Sequence, residues 1–171
     1  MFKNRHPAVL WAAGFFIGTA TTCSGAYAQS TQPLHIDIPV KLEKSNIVFD
    51  IGHAVLNGDM PFVLGDLNQL ANDVSADGTK GEVITVFHGD AAYLVLNDET
   101  YNSNRHVKTG NPYAKLIASL MSRGMQVELC GATATSNHWG NANLLSGVKV
   151  NTDAMARVTQ LEQKGFTLIY Q

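Results

Sequence analysis

Three residues with chemically useful side chains follow predicted strands: His53, His88 and Cys130. A thiolate is a nucleophile, and imidazole is the side chain whose charge changes most readily near neutral pH. In an open parallel sheet the carboxyl ends of the strands meet at one edge, where loops and helix N-termini form a crevice. We therefore expect these residues at a common edge, with His53, Gly89 and Gly131 lining a binding crevice.

Cys130 has two interpretations that the residues alone leave open. It lies between a predicted strand and a predicted helix, so unpaired N–H groups and the positive end of the helix dipole would favour its thiolate. Free cysteine is, however, also commonly buried and inert. The first interpretation makes Cys130 a catalytic nucleophile, and the second makes it a packing residue.

The two histidines are candidates for proton transfer or for hydrogen bonds to a substrate. His88 is the candidate catalytic partner of Cys130, although either histidine can equally be a satisfied structural residue. His53, His88 and Cys130 are also metal-ligand types, but their separations match no ligand spacing. We therefore expect no metal site.

Composition and motifs exclude several function classes. A net charge of −2 without a run of like charges disfavours nucleic-acid binding. The sequence has no Gly-x-Gly-x-x-Gly, Walker loop, Gly-x-Ser-x-Gly or Cys-x-x-Cys motif. No cofactor is therefore expected.

The first 28 residues have the three regions of a secretory signal. Lys3 and Arg5 form a basic start, residues 8–20 are apolar, and Ala26-Tyr27-Ala28 is a small-residue cleavage site. An apolar stretch of about 13 residues is shorter than the roughly 20 that a membrane span needs. We expect cleavage after Ala28, a periplasmic or secreted protein, no membrane segment after processing, and Cys130 as its only cysteine.

Residues 45–171 are predicted to form one α/β domain after an extended lead-in at residues 29–44. With 45% hydrophobic and 15% charged residues in a chain of 171, a single globular core is expected. Periodicity predicts a mainly parallel sheet covered on both faces, with a mobile loop at residues 98–111. The predicted strands are residues 46–51, 82–87, 125–129, 148–150 and 166–170, and the predicted helices begin near Pro61, Ala91, Pro112, Ala132 and Asp153.

Four segments in this order resemble the DsrE/DsrF-like family, and the resemblance covers nearly all of the chain after the signal. They are Val86-Phe87-His88-Gly89, Met125-Gln126-Val127-Glu128-Leu129-Cys130-Gly131, Leu144-Leu145-Ser146-Gly147-Val148 and Gln160-Leu161-Glu162-Gln163-Lys164-Gly165-Phe166.

The resemblance implies a five-stranded, flavodoxin-like three-layer α/β sandwich that assembles into trimers or hexamers. In some members a cysteine carries sulfur as a persulfide within a relay, and Cys130 falls on that position. Relay members work in the cytoplasm with dedicated partners, whereas this chain is expected to be exported.

Two functional hypotheses follow. In the first, Cys130 is the persulfide acceptor of a sulfur carrier that exchanges sulfur with a donor or acceptor protein, at most a sulfurtransferase-like activity. In the second, the chain is a non-enzymatic homo-oligomer that binds a small ligand or a partner, and Cys130 is structural.

Overall fold

The computed structural model of this chain describes residues 33–171. Within these residues, 39–171 form one compact unit, and residues 33–38 lie outside it. The predicted signal, residues 1–28, lies outside the described residues. Residues 33–38 contain no helix or strand, and no helix in the described residues is long and apolar enough to cross a membrane.

Residues 39–171 alternate strands with helices, as the sequence predicts. Two 3₁₀ helices lie between the regular elements, at Gly89–Val95 and Asn141–Asn143. The other elements are, in chain order, β1 (Ile47–Ile51), β2 (Leu56–Asn57), β3 (Met60–Pro61), α1 (Phe62–Asp77), β4 (Val83–Phe87), α2 (Asp98–Arg105), α3 (Ala114–Ser122), β5 (Gln126–Cys130), α4 (Gly131–Ser136), β6 (Lys149–Asn151), α5 (Ala154–Gln163) and β7 (Thr167–Tyr170).

Five strands form one parallel sheet in the order β6-β5-β4-β1-β7. The predicted parallel α/β sheet with helices on both faces is therefore confirmed. Numbered along the chain, the order is 4-3-2-1-5, whereas flavodoxin itself has the order 2-1-3-4-5. The first three connections step in one direction, and the last crosses the whole sheet from β6 to β7.

In this topology, the helices cover the two faces of the sheet unequally. Alternate residues of a strand point to opposite faces. Residues such as Phe49, Phe87 and Leu129 pack in the larger core with buried residues of α1 and α3. Val48, Val86 and Cys130 pack on the other face, where the buried helical residues belong to α5. Reactive side chains on this face of the sheet are therefore positioned by one helix, α5.

Residues 98–111, predicted as a mobile loop, begin instead with the helix α2. The Asn97 side chain accepts a hydrogen bond from the Thr100 N–H, which caps the helix, and Asp98 and Glu99 lie in its first turn. Both features stabilise a helix N-terminus. The polar composition that indicated a loop belongs to a capped surface helix.

The spacing of Met155, Val158 and Leu161 in the sequence predicts that these residues form the inward face of α5, which is correct at two of the three positions. Val158 and Leu161 are buried, but Met155 is 83% exposed. Ala154, Val158 and Leu161 follow the four- and three-residue spacing of one helical face. Met155 lies one residue after Ala154, which rotates its side chain away from the sheet.

Candidate functional site

Cys130 and His88 are neighbours at the carboxyl ends of adjacent strands. The register pairs Phe87 of β4 with Leu129 of β5, so the next residues, His88 and Cys130, lie at the same level. Strand alternation places both on the α5 face, because Val86 and Cys130 share the core on that side. The structure thus brings together the two predicted catalytic residues.

The Cys130 sulfur faces the first residue of α5. Its Sγ accepts a hydrogen bond from the Ala154 N–H at 3.3 Å, and the residue is 4% exposed. The sequence predicts that the helix following Cys130, α4, supplies these donors, but the Cys130 side chain makes no capping bond there. The donor comes from α5 because the side chain points to the face that α5 covers.

This environment has opposing effects on a thiolate. The N–H group and the positive end of the α5 dipole stabilise negative charge on the sulfur. Val48, Ile84 and Val86 belong to the same buried cluster, and apolar burial disfavours a charged group. An anionic sulfur at Cys130 would therefore have one directed hydrogen-bond donor, the Ala154 N–H, in otherwise apolar surroundings.

His88 is held by Asp50, which the sequence reasoning did not identify. The His88 Nε2 lies 2.8 Å from the Asp50 Oδ1, and both side chains are mostly buried. A Cβ at Gly52 would lie 3.0 Å from the His88 ring, so the glycine makes room for the imidazole. The sequence signal for this pair was Asp50 itself, which is a carboxylate in the otherwise apolar strand β1 and lies two residues before Gly52.

The His88 ring is directed toward β1, while Cys130 lies on β5 at the other side of β4. Within residues 33–171 no hydrogen bond joins His88 to Cys130. Because an ionised carboxylate only accepts hydrogen bonds, Asp50 fixes the His88 proton on Nε2 and leaves Nδ1 as an acceptor. The Asp50 contact therefore fixes the orientation of the imidazole at the end of β4 and leaves its Nδ1 as the acceptor.

Glu128 and Arg157 form a buried ion pair on the same face as Cys130, also missed from the sequence. The guanidinium donates to both carboxylate oxygens, with the Arg157 Nη2 at 2.8 Å from the Glu128 Oε1. Asn151 and Gln126 also donate to Glu128. Glu128 precedes Cys130 by two residues in β5, so this pair fastens α5 to the strand that carries the thiol.

Burial alone raises the pKa of the Glu128 carboxyl, but the hydrogen bonds from Arg157, Asn151 and Gln126 outweigh it. The pKa of Glu128 therefore lies below its ordinary value. The hydrogen bond to Glu128 in turn raises the pKa of Arg157. Both groups are held in their charged forms.

Gly131 lies under the chain that leaves β6. A Cβ on Gly131 would lie 2.5 Å from the Asn151 carbonyl oxygen and 3.0 Å from that of Thr152. Only glycine permits this close approach of backbone to backbone. The crossing segment leads into α5 and covers Cys130, so the structure gives Gly131 a packing contact; its predicted role in binding stays a prediction.

His53 and Gly89 lie in a different place from Cys130. They line an open cleft of about 610 Å³ at the ends of β1 and β4, whose lining includes neither Cys130 nor His88. The His53 Nδ1 lies 3.6 Å from the Asp90 Oδ2, and both side chains are exposed. Gly89 has a φ of 51°, which turns the chain sharply after His88.

Within residues 33–171, no group of three or more His, Cys, Asp or Glu side chains is arranged to hold a metal ion.

We name the cleft that His53 and Gly89 line the Arg105 cleft. The cleft is lined by the segment from the end of β1 into β2, the 3₁₀ helix after β4, the end of α2 and the loop after α4, with the residues His53, Ala54, Val55, Leu56, Gly89, Asp90, Tyr93, Asn104, Arg105, Asn137 and Trp139.

Comparison with solved structures supports the fold. The chain is similar to MTH1491 from Methanobacterium thermoautotrophicum, a protein of unknown function, with a TM-score of 0.57 and 18% identity over 73% of this chain and 97% of that chain. It is also similar to the ychN protein from E. coli, with a TM-score of 0.54 and 16% identity over 76% of this chain and 100% of that chain.

Sequence comparison identifies the family. No curated protein matches the chain in sequence. The sequence model of the DsrE/DsrF-like family matches residues 45–170, which span the whole sheet and its helices. The resemblance carried by the strand-end segments is thereby confirmed, and the chain belongs to the DsrE/DsrF-like family.

Proposed function

We propose that this protein is an exported sulfur carrier that accepts a sulfane sulfur on Cys130 as a persulfide. The observation that carries the proposal is the position of Cys130. This residue ends β5, and its Sγ accepts a hydrogen bond from the Ala154 N–H at the start of α5. Membership of the DsrE/DsrF-like family supports a sulfur-relay type of function. The His88–Asp50 pair on the neighbouring strands supplies a proton acceptor.

The reaction is an exchange at sulfur. The Cys130 thiolate attacks the outer sulfur of a donor persulfide, so that a new S–S bond forms at Cys130 and the S–S bond of the donor breaks. The donor leaves as a thiolate, and the outer sulfur keeps its proton or passes it to solvent. His88 accepts the proton of the Cys130 thiol, and the Ala154 N–H stabilises the anionic sulfur. The exchange requires no external oxidant or reductant.

Access is the main requirement of this mechanism. Cys130 is 4% exposed and lies beneath the segment that joins β6 to α5. A donor therefore reaches the sulfur only when the start of α5 moves away. We propose that docking of a donor or acceptor protein, or a local opening of this segment, exposes the thiol.

Intact-mass measurement after incubation with a persulfide donor tests the carrier function. The full chain should gain one sulfur atom, and Cys130→Ser should gain none at the same position. In a chain that keeps the predicted signal, Cys23→Ser is the matched control, since it removes the other cysteine and should leave the uptake by Cys130 unchanged. Uptake that persists in Cys130→Ser, or a wild type that takes up no sulfur, contradicts the proposal.

We also propose that the protein is exported and forms a homo-oligomer. The basic, apolar and small-residue regions of residues 1–28 support a periplasmic or secreted location, which fractionation and a mature N-terminus at Gln29 would test. The homo-oligomer is expected from the family resemblance, and Met155 on α5 and Tyr170 on the edge strand β7, which are large and exposed in the single chain, are candidate contact residues. Light scattering of the purified protein measures that state.

A second candidate function is that of a non-enzymatic oligomeric binding protein with Cys130 as a packing residue. The burial of Cys130 among Val48, Val86 and other apolar residues favours it. In that case Cys130→Ser keeps fold and oligomer, and the native thiol resists alkylation. Rapid alkylation of Cys130 in the folded protein near neutral pH favours the sulfur carrier instead.

A further inference from the structure

The Arg105 cleft combines charge of both signs with aromatic walls. Arg105 ends α2, and its guanidinium carbon lies 4.3 Å from the centre of the Tyr93 ring. Trp139, which is partly buried, supplies a second aromatic surface. Stacking on an aromatic face orients a guanidinium without using its N–H donors.

The Arg105 guanidinium forms no salt bridge and no side-chain hydrogen bond within residues 33–171. Two other arginines of that region differ in this respect: Arg157 pairs with Glu128, and Arg123 donates to Asn68 and Asn72. A planar guanidinium with free donors binds a carboxylate through two parallel hydrogen bonds. Arg105 is therefore preorganised for an anionic group at the cleft.

Asp90 places the opposite charge in the same cleft, with its Oδ2 3.6 Å from the His53 Nδ1. Asp90 disfavours a dianion such as a phosphate monoester, because like charges repel. It favours a ligand that also carries a cationic donor. Asn104 and Asn137 add amide groups to the lining, and Val55 and Leu56 add apolar surface.

We propose that the Arg105 cleft binds an α-amino acid with a large apolar side chain. The ligand carboxylate pairs with Arg105, its ammonium group with Asp90, and its side chain packs against Tyr93 and Trp139. The volume of about 610 Å³ lies within the range of about 300–1,000 Å³ typical of small-molecule sites. This inference goes beyond the proposed sulfur carrier and is independent of it, because the cleft lining does not include Cys130.

Isothermal titration of the purified protein with L-phenylalanine tests this inference. Two analogues lack one charge each: 3-phenylpropionate has no ammonium group, and 2-phenylethylamine has no carboxylate. We expect L-phenylalanine to bind about tenfold or more tightly than either analogue, because each lost charge removes a charge-assisted hydrogen bond. Arg105→Gln and Asp90→Asn should each weaken L-phenylalanine binding by a similar factor.

Arg123→Gln is the matched control, because it removes an arginine outside the cleft and should leave binding unchanged. Failure of L-phenylalanine to bind at millimolar concentration overturns the inference. So does wild-type affinity in Arg105→Gln, or equal affinity for 3-phenylpropionate. Cys130→Ser should bind as the wild type does, so a protein that takes up sulfur but binds no amino acid rejects the ligand class and leaves the sulfur carrier standing.

Discussion

The backbone N–H of Ala154 lies 3.3 Å from the Sγ of Cys130, so the first residue of α5 is hydrogen-bonded to the last residue of β5. This contact joins the last strand-to-helix turn of the chain to the cysteine that the sequence singles out. It couples the stability of the α5 N-terminus to the exposure of the thiol.

Removing the cap of α5 should expose Cys130. The Asp153 side chain accepts a hydrogen bond from the Ala156 N–H at 2.8 Å. Asp153→Ala should lower the free energy of unfolding by about 1 kcal/mol and loosen the helix start. We expect Cys130 of the folded variant to be alkylated several-fold faster than in the wild type, measured by mass spectrometry under native conditions.

Asn97→Ala is the matched control for this prediction, since Asn97 caps α2 through the Thr100 N–H. It should cost a similar free energy of unfolding without changing the alkylation rate of Cys130. Equal acceleration in both variants would show that global opening, and not the α5 N-terminus, controls access to the thiol.

A side chain at Gly131 should disturb the segment that covers Cys130. The added Cβ of Gly131→Ala would lie 2.5 Å from the Asn151 carbonyl oxygen, and overpacking of this kind costs about 1–3 kcal/mol. Gly65→Ala in α1 is the control, because nothing lies within 4 Å of its Cβ position. Alanine there should stabilise the helix by about 0.5–1 kcal/mol. Denaturant unfolding measures both, and a stabilising Gly131→Ala would contradict the described crossing.

Arg157 should be essential to stability at neutral pH because it neutralises a buried carboxylate. Glu128 is 2% exposed, and loss of one partner of a buried pair costs about 3–5 kcal/mol. Arg157→Met should therefore destabilise strongly, and the double variant with Glu128→Gln should recover much of the loss. Arg123→Met should cost less, about 1 kcal/mol, because this half-buried arginine donates only to the neutral amides of Asn68 and Asn72. Equal losses in the single and double variants would contradict a coupled pair.

The same pair predicts a pH dependence of unfolding. The pKa of Glu128 is lowered in the folded protein, so its contribution to stability is complete above the unfolded pKa, near 4.5, and is lost as the pH falls through the lower folded pKa. The free energy of unfolding of Glu128→Gln should therefore fall less than that of the wild type below about pH 4.5. Denaturant titrations between neutral pH and pH 3 measure the difference, and parallel curves would contradict it.

Asp50 should set the proton position of His88. With the Asp50 Oδ1 2.8 Å from the His88 Nε2, the neutral ring carries its proton on Nε2, which ¹⁵N NMR resolves. Asp50→Ala should abolish this tautomer preference and slow sulfur uptake by Cys130 about tenfold or more, because a positioned base contributes roughly 10²–10⁴-fold. Asp66→Ala, an exposed change in α1, should alter neither. Unchanged uptake in Asp50→Ala would remove His88 from the mechanism.

The sequence by itself determined the α/β class, the five sheet strands and the approach of His88 and Cys130 to one edge. These features depend on local periodicity and on the rule that the carboxyl ends of parallel strands meet. The family could also be identified from the sequence, since four segments in a fixed order carry the resemblance. The same local rules were wrong for residues 98–111, where a side-chain cap at Asn97 outweighed polar composition.

Only the tertiary structure decided what each candidate residue contacts. The order of the strands put α5 on the opposite face from α1 and α3, and the Cys130 side chain faces α5 and not its own following helix. Asp50, Glu128 and Arg157 acquired partners 29 to 38 residues away in the chain. Such pairings depend on register and on which face a side chain occupies, and neither is encoded in the local spacing of residues.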